Sequence, residues 1–226
     1  MKRALPLVML TGACLVYAAD KNPDAERLDR AAEVFQEVMA APDRGVPQDL
    51  LDKSACIVVV PGLKKGAFVI GAKFGRGFFA CRAKSGTGWS APAAIRVEGG
   101  SFGFQIGGSE TDVIMLVMNQ RGAERLLSSR FTLGGDATAA AGPVGRSATA
   151  QTDAYMTAEI LTYSRARGLF AGISLSGATL RQDLDTNKAL YGRTLQNKEI
   201  VQTGIAPPAA AKDFLDALNK YSSRKG

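Results

Sequence analysis

The chain contains no histidine. That absence removes the commonest general base, the commonest metal ligand and every Ser-His or Cys-His nucleophile design at once. Cysteine is scarce, at positions 14, 56 and 81, and no two cysteines form a CxxC pair, so neither a zinc site nor a redox dithiol is written here. No run of five or more like charges occurs, which argues against nucleic acid as a partner. Past Tyr17 no apolar run is long enough to cross a bilayer. Nor is there a fixed-period repeat or a Pro/Ser-rich linker to divide the 226 residues. With 46% hydrophobic residues the chain can bury a sizeable core as one domain.

The first residues point to export. Met1-Lys2-Arg3 is a short basic head, and Ala4–Tyr17 is apolar but too short to span a membrane. Val16-Tyr17-Ala18 puts small residues at the two positions a signal peptidase reads, so residues 1–18 are expected to be a signal peptide and 22–226 the domain. The expected location is periplasmic or extracellular. Thr11-Gly12-Ala13-Cys14 offers a competing cut with a lipid anchor at Cys14, and the intact mass of the exported chain separates the two. Cys56 and Cys81 then remain as an even pair, which in an oxidising compartment invites a disulfide. Two buried thiols are the alternative.

Three glycine-punctuated blocks dominate what is present: Gly99–Asp112, Leu133–Arg146 and Tyr163–Ala178. Glycine at that density would ruin a helix interior, whereas in a sheet it permits bulges and close backbone approach. β-prone runs at Cys56–Val60, Ala67–Phe74, Phe78–Arg82, Ala93–Glu98, Ser101–Ile106 and Val113–Met118 read as strands separated by Pro-Gly, Gly-x-Gly and Gly-Gly turns. A hairpin is expected from Glu159–Tyr163 and Leu169–Leu175. Asn22-Pro23 starts a helix to Ala41, Pro47 a short second one, and Asn119 caps a third ending near Ser129. Helices return near Thr186–Tyr191 and Thr194–Gln202, and a last one after Pro207 buries Phe214, Leu215, Leu218 and Tyr221. The expected class is α+β: a central, mainly antiparallel, Gly-rich sheet or half-barrel flanked by N- and C-terminal helices.

Several motifs only imitate chemistry. Gly99-Gly100-Ser101-Phe102-Gly103 spells G-x-S-x-G, but no histidine exists to activate Ser101. Gly75-Arg76-Gly77-Phe78-Phe79-Ala80 spells a dinucleotide fingerprint, yet a strand rather than a helix should follow, so a hairpin turn is the expectation. Asp183-Leu184-Asp185-Thr186-Asn187 resembles the start of a calcium loop but lacks its Gly and distal Glu. Glu110, Asp112 and Asp136 are further acids with no metal-ligand spacing. No cofactor and no metal are expected.

The three blocks, with Ile57–Phe74, Gly75–Arg82 and the stretch ending Asn187–Gly192, resemble the SYLF-domain family over roughly residues 30–220. Its eukaryotic members are described as phosphoinositide-binding and actin-binding modules. The resemblance implies a non-enzymatic module for anionic membrane lipids, with phosphoinositide-type headgroups, or alternatively a cell-envelope structural or protein-interaction module. It also implies an amphipathic N-terminal segment that helps membrane binding. Here the Asn22–Ala41 helix has a mixed-charge polar face, which favours core packing instead. Candidate lipid contacts are Lys64, Lys65, Lys73, Arg76, Arg82 and Lys84, interleaved with Phe68, Phe74, Phe78 and Phe79 near expected turns. Solvated strand ends with core phenylalanines are the competing account of the same spacing. Arg146, Arg165 and Arg167 form a second, weaker basic group.

Overall fold

Asn22 and Pro23 start the first helix as their chemistry dictates. The Asn22 side-chain oxygen accepts from the Asp24 N–H at 2.9 Å, and Pro23 occupies a position whose N–H would have no partner. This computed structural model describes residues 22–40, 45–68, 70–102, 107–144, 157–166 and 169–222. The expected leader, Cys14, Arg146 and Arg167 lie outside the described residues.

Helices α1 (Pro23–Ala40) and α2 (Gln48–Lys53) precede four long strands: β1 (Cys56–Phe68), β2 (Ile70–Cys81), β3 (Ala93–Phe102) and β4 (Gly107–Val117). After α3 (Gln120–Leu126) come the short strands β5 (Arg130–Thr132), β6 (Ala139–Ala141), β7 (Ile160–Ala166), β8 (Leu169–Gly172) and β9 (Thr179–Gln182). The chain closes with α4 (Leu184–Tyr191), α5 (Asn197–Gln202), a 3-10 turn at Ala209–Ala211 and α6 (Lys212–Ser222). The strands form one curled sheet in the order β5-β9-β3-β2-β1-β4-β7, with β6 and β8 sharing the outer edge of β7. Every pairing is antiparallel except β6 with β7. The expected α+β half-barrel is what the sequence forms.

Both faces of the central strands are covered, so their sequences are continuous apolar runs rather than alternating ones. Ile57, Val59, Phe78, Ala94, Ile114 and Leu116 pack under Leu28, Phe35 and Val38 of α1 and Phe214 and Leu218 of α6. Val58, Val60, Phe79, Ile95, Val97 and Met115 face the opposite layer, with Leu126 of α3 and Ile200 of α5. The buried face of α1 is thus spent on the core.

Two expectations need correction. Gly75-Arg76-Gly77 is no turn; it runs straight through the middle of β2, as Pro61-Gly62 runs through β1 and Gly99-Gly100 through β3. The strands expected as separate short pieces are therefore long single ones. The short β5, β6 and β9 had no sequence signal, because each is held by its neighbours rather than by its own three or four residues.

The disulfide expectation is met. Cys56 and Cys81 are direct cross-strand partners at the root of the β1–β2 hairpin and are joined by an S–S bond.

Candidate functional site

The β1–β2 hairpin carries four of the six candidate cations, Lys64, Lys65, Lys73 and Arg76, and one local irregularity decides where the lysines point. Val60-Pro61-Gly62-Leu63 makes a bulge against both neighbouring strands. Pro61 has no N–H to give to the ladder, and Gly62 takes φ +62, a left-handed backbone that L side chains rarely adopt. The Gly62 N–H is satisfied by Asp112 Oδ1 at 2.9 Å. Asp112 also accepts from Arg165 Nη2 at 2.9 Å, and Arg165 pairs in turn with Glu37 of α1. That network absorbs the one described member of the weaker basic group.

Beyond the bulge the register has moved by one residue. Lys64 now lies opposite Phe74 and Glu110, while Lys65 lies opposite Lys73 and Ser109. Strand alternation then puts Lys64 and Phe74 on the α1 face of the sheet and Lys65 and Lys73 on the other. Lys64 is exposed, Lys65 and Lys73 are half-buried, and Phe74 is 47% exposed, a rare position for a phenylalanine beside cations. Among the described residues no ion pair reaches Lys64, Lys65 or Lys73. Like charges directly across a ladder are destabilising, and among the described residues no ion pair offsets them. Burial, and then the Lys73 charge, hold the Lys65 ammonium below the ordinary lysine value of 10.5. Since the folded state gives up that proton more readily than the unfolded one, stability rises with pH through the window between the depressed value and 10.5. Lys73→Met should therefore raise the Lys65 pKa, though not to its ordinary value, because burial persists. Carbon-13 NMR of labelled lysine side chains checks this, and an unmoved Lys65 titration would show that the two ammonium groups do not interact.

The other three candidates are elsewhere. Arg76 sits mid-strand, half-buried, with Nε 3.4 Å from Asp183 Oδ2. Arg82 lies at the hairpin root, its guanidinium 4.0 Å over the Trp89 ring, donating to the carbonyls of Ser54 and Leu51 at 3.2 Å each. Those carbonyls close the end of α2, where a cation also suits the helix dipole. Lys84 is exposed in the loop beyond. The fold thus brings together Lys64, Lys65 and Lys73, gives Arg76 and Arg82 structural partners, and leaves Lys84 at the far end. Phe78 and Phe79 are core; Phe68 has only its backbone pairing described, opposite Ile70.

Asp183 is the residue that sequence reasoning undervalued. Its carboxylate is fully buried, caps α4 by accepting from the Thr186 N–H at 3.3 Å, and stands between Arg76 and Arg96, whose Nε is 3.9 Å away. Asn187 and Asn197 continue the buried network: Asn187 accepts from the Ala94 N–H at 2.9 Å, and Asn197 donates to the Ala94 carbonyl at 3.1 Å. The Asp-x-Asp-x-Asn stretch is a helix cap and a glue between α4, α5 and β3. Among the described residues no three acids or cysteines cluster as metal ligands.

Outside comparison settles the lineage. A family model described as "Las17-binding protein actin regulator" (Ysc84) matches residues 98–221. The chain belongs to the Ysc84 (SYLF) family. It is 30% identical over 204 residues to "SH3 domain-containing YSC84-like protein 1" of Homo sapiens, covering 89% of this chain and 59% of the relative. The Rattus norvegicus protein of the same name is 31% identical over the same length, with the same coverage. It is 35% identical over 180 residues to "LAS seventeen-binding protein 3" of Saccharomyces cerevisiae, covering 78% of this chain and 39% of the relative. The Ysc84-family chain thus spans between 39% and 59% of the length of these relatives. The relatives' names describe an SH3 domain or binding to LAS seventeen and the family description an actin regulator; none of these names an enzyme.

Proposed function

We propose that the protein is a non-enzymatic module that docks on anionic phospholipid surfaces with the outer end of the β1–β2 hairpin. The observation that carries this reading is the Lys65–Lys73 pair, half-buried and without a carboxylate partner among the described residues, beside exposed Lys64 and Phe74. Such a collar has cations on both faces of the strand pair and an apolar ring that can enter the headgroup layer. The family resemblance adds phosphoinositide-type headgroups as the ligand class. The leader pattern and the Cys56–Cys81 bond support an exported, oxidising location, with Cys14 as an additional anchor if it is lipidated. A protein partner is the second reading, and the names of the relatives favour it.

Flotation with anionic and neutral vesicles tests the proposal. Each cation at an anionic surface contributes about 1 kcal/mol, so Lys64→Ala/Lys65→Ala/Lys73→Ala should weaken vesicle binding by about two orders of magnitude. Arg76 stays native in this variant, because its guanidinium serves Asp183. Binding by the wild type should fall as salt rises. A triple variant that floats as well as the wild type would show that the lysine collar is not the docking surface. A wild type that floats with no anionic vesicle would favour the protein partner.

A further inference from the structure

A row of four arginines crosses the other half of the sheet. Arg76 of β2 is the register partner of Arg96 of β3, Arg96 of Arg181 of β9, and Arg181 of Arg130 of β5. Direct partners share a face, so all four guanidinium groups leave the sheet on the α1 side. Arg76 and Arg96 divide the buried Asp183 between them. Arg181 and Arg130 are exposed, and their compensation is thinner. Arg181 has Glu98 at 3.6 Å, in a setting where an ion pair contributes little, and Arg130 has no ion pair among the described residues.

Beside these two arginines the surface sinks into a cleft of about 540 Å³. Its walls carry the Thr132 and Thr179 hydroxyls, 3.3 Å apart, together with Glu98 and Asp136. The Asp136 carboxylate is occupied by the Thr132 N–H at 2.8 Å.

We infer that this cleft binds the phosphate group of a small phosphomonoester. Two guanidinium forks and the Thr132–Thr179 hydroxyl pair, whose mutual hydrogen bond leaves one O–H free to donate, form a donor set suited to a tetrahedral dianion, and arginine engages phosphate oxygens two at a time. The volume exceeds what phosphate alone needs, which leaves room for a small polar body attached to it. Glu98 is the competitor that the phosphate displaces from Arg181. The inference is independent of the membrane reading, because the cleft is built from β3, β5 and β9 and uses none of the lysines; Lys64 shares its face of the sheet but sits on β1, and Lys65 and Lys73 leave on the opposite face.

Amide NMR of the folded protein provides the test, titrating inorganic phosphate at constant ionic strength against chloride. Saturable shifts are expected at the Thr132 and Thr179 amides with phosphate and not with chloride. Arg130→Gln/Arg181→Gln should weaken binding by about tenfold or more, since a charge-assisted bond typically contributes that factor or more. Glu98→Gln should tighten it. Lys64→Ala/Lys65→Ala/Lys73→Ala should bind phosphate as the wild type does, even where it has lost vesicle binding. Two further arms identify the source of the phosphate. Displacement by glycerol 3-phosphate points to a soluble ester, and displacement by phosphatidic acid vesicles to a lipid headgroup. Shifts that do not saturate, an arginine double variant that binds normally, or displacement by neither ester would overturn the inference.

Discussion

Asp183→Ala should lower the stability of the protein by about 3–5 kcal/mol, the range for breaking a buried charge pair from one side. Two losses coincide at this residue. The guanidinium groups of Arg76 and Arg96, direct cross-strand partners, would face one another with no carboxylate between them. Helix α4 would also lose the acceptor for its Thr186 N–H. The total is a large share of the roughly 5–15 kcal/mol that holds an ordinary domain together. Asp183→Asn keeps the cap oxygen and should fall between the two, which separates the capping part from the charge part. Urea unfolding measures all three proteins. A loss below about 1 kcal/mol in the alanine variant, the scale of an exposed pair, would mean that water reaches Asp183 freely.

Gly77→Ala is the second large effect expected. A Cβ there would lie 2.2 Å from the Val59 carbonyl oxygen and 2.7 Å from the Val60 Cα. Both are backbone atoms of the central strand, so no side chain can swing aside. The strand pair itself must part just before the bulge, where β1 is also paired to β4. The cost should reach about 3 kcal/mol or more, the upper end for overpacking. Gly66→Ala is the control from the same hairpin: a Cβ there meets nothing within 4 Å. If the two variants unfold at the same urea concentration, the tight approach at Gly77 is not real.

Glycine is where the sequence misleads and also where it informs. Block composition alone argued for a bent antiparallel sheet, because so many glycines cannot sit inside helices. It could not say which glycines turn the chain and which let neighbouring strands or side chains close in. Gly62 does neither of the expected things alone, bending β1 at a bulge with φ +62 without ending the strand, while Gly77 lets the neighbouring strand close in, yet both stand beside basic or proline residues in similar local patterns. Reading Gly77 as a turn cut β2 in half and placed Arg76 at a water-facing corner. Helix starts were legible because a cap acts within three residues, as at Asn22 and Asn119. The lysine collar was half legible: its three cations are close in sequence, but the bulge that splits them between faces was not. The arginine row was illegible, since its members come from residues 76, 96, 130 and 181 and meet only through register.

The position of the Cys56–Cys81 bond has a mechanical consequence. Strand β1 runs about 40 Å at roughly 3.3 Å per residue, and the covalent tie sits at one end of it with the lysines toward the other. Arg82 bolts the same root to the carbonyls that end α2. The hairpin is therefore clamped covalently at its root, while its outer end is held to β4 and β3 by ladder hydrogen bonds alone. A pull on the Lys64–Phe74 end bends the outer half first and reaches the root as tension across a closed covalent ring. The layers above and below the sheet then need not slide for the tip to yield.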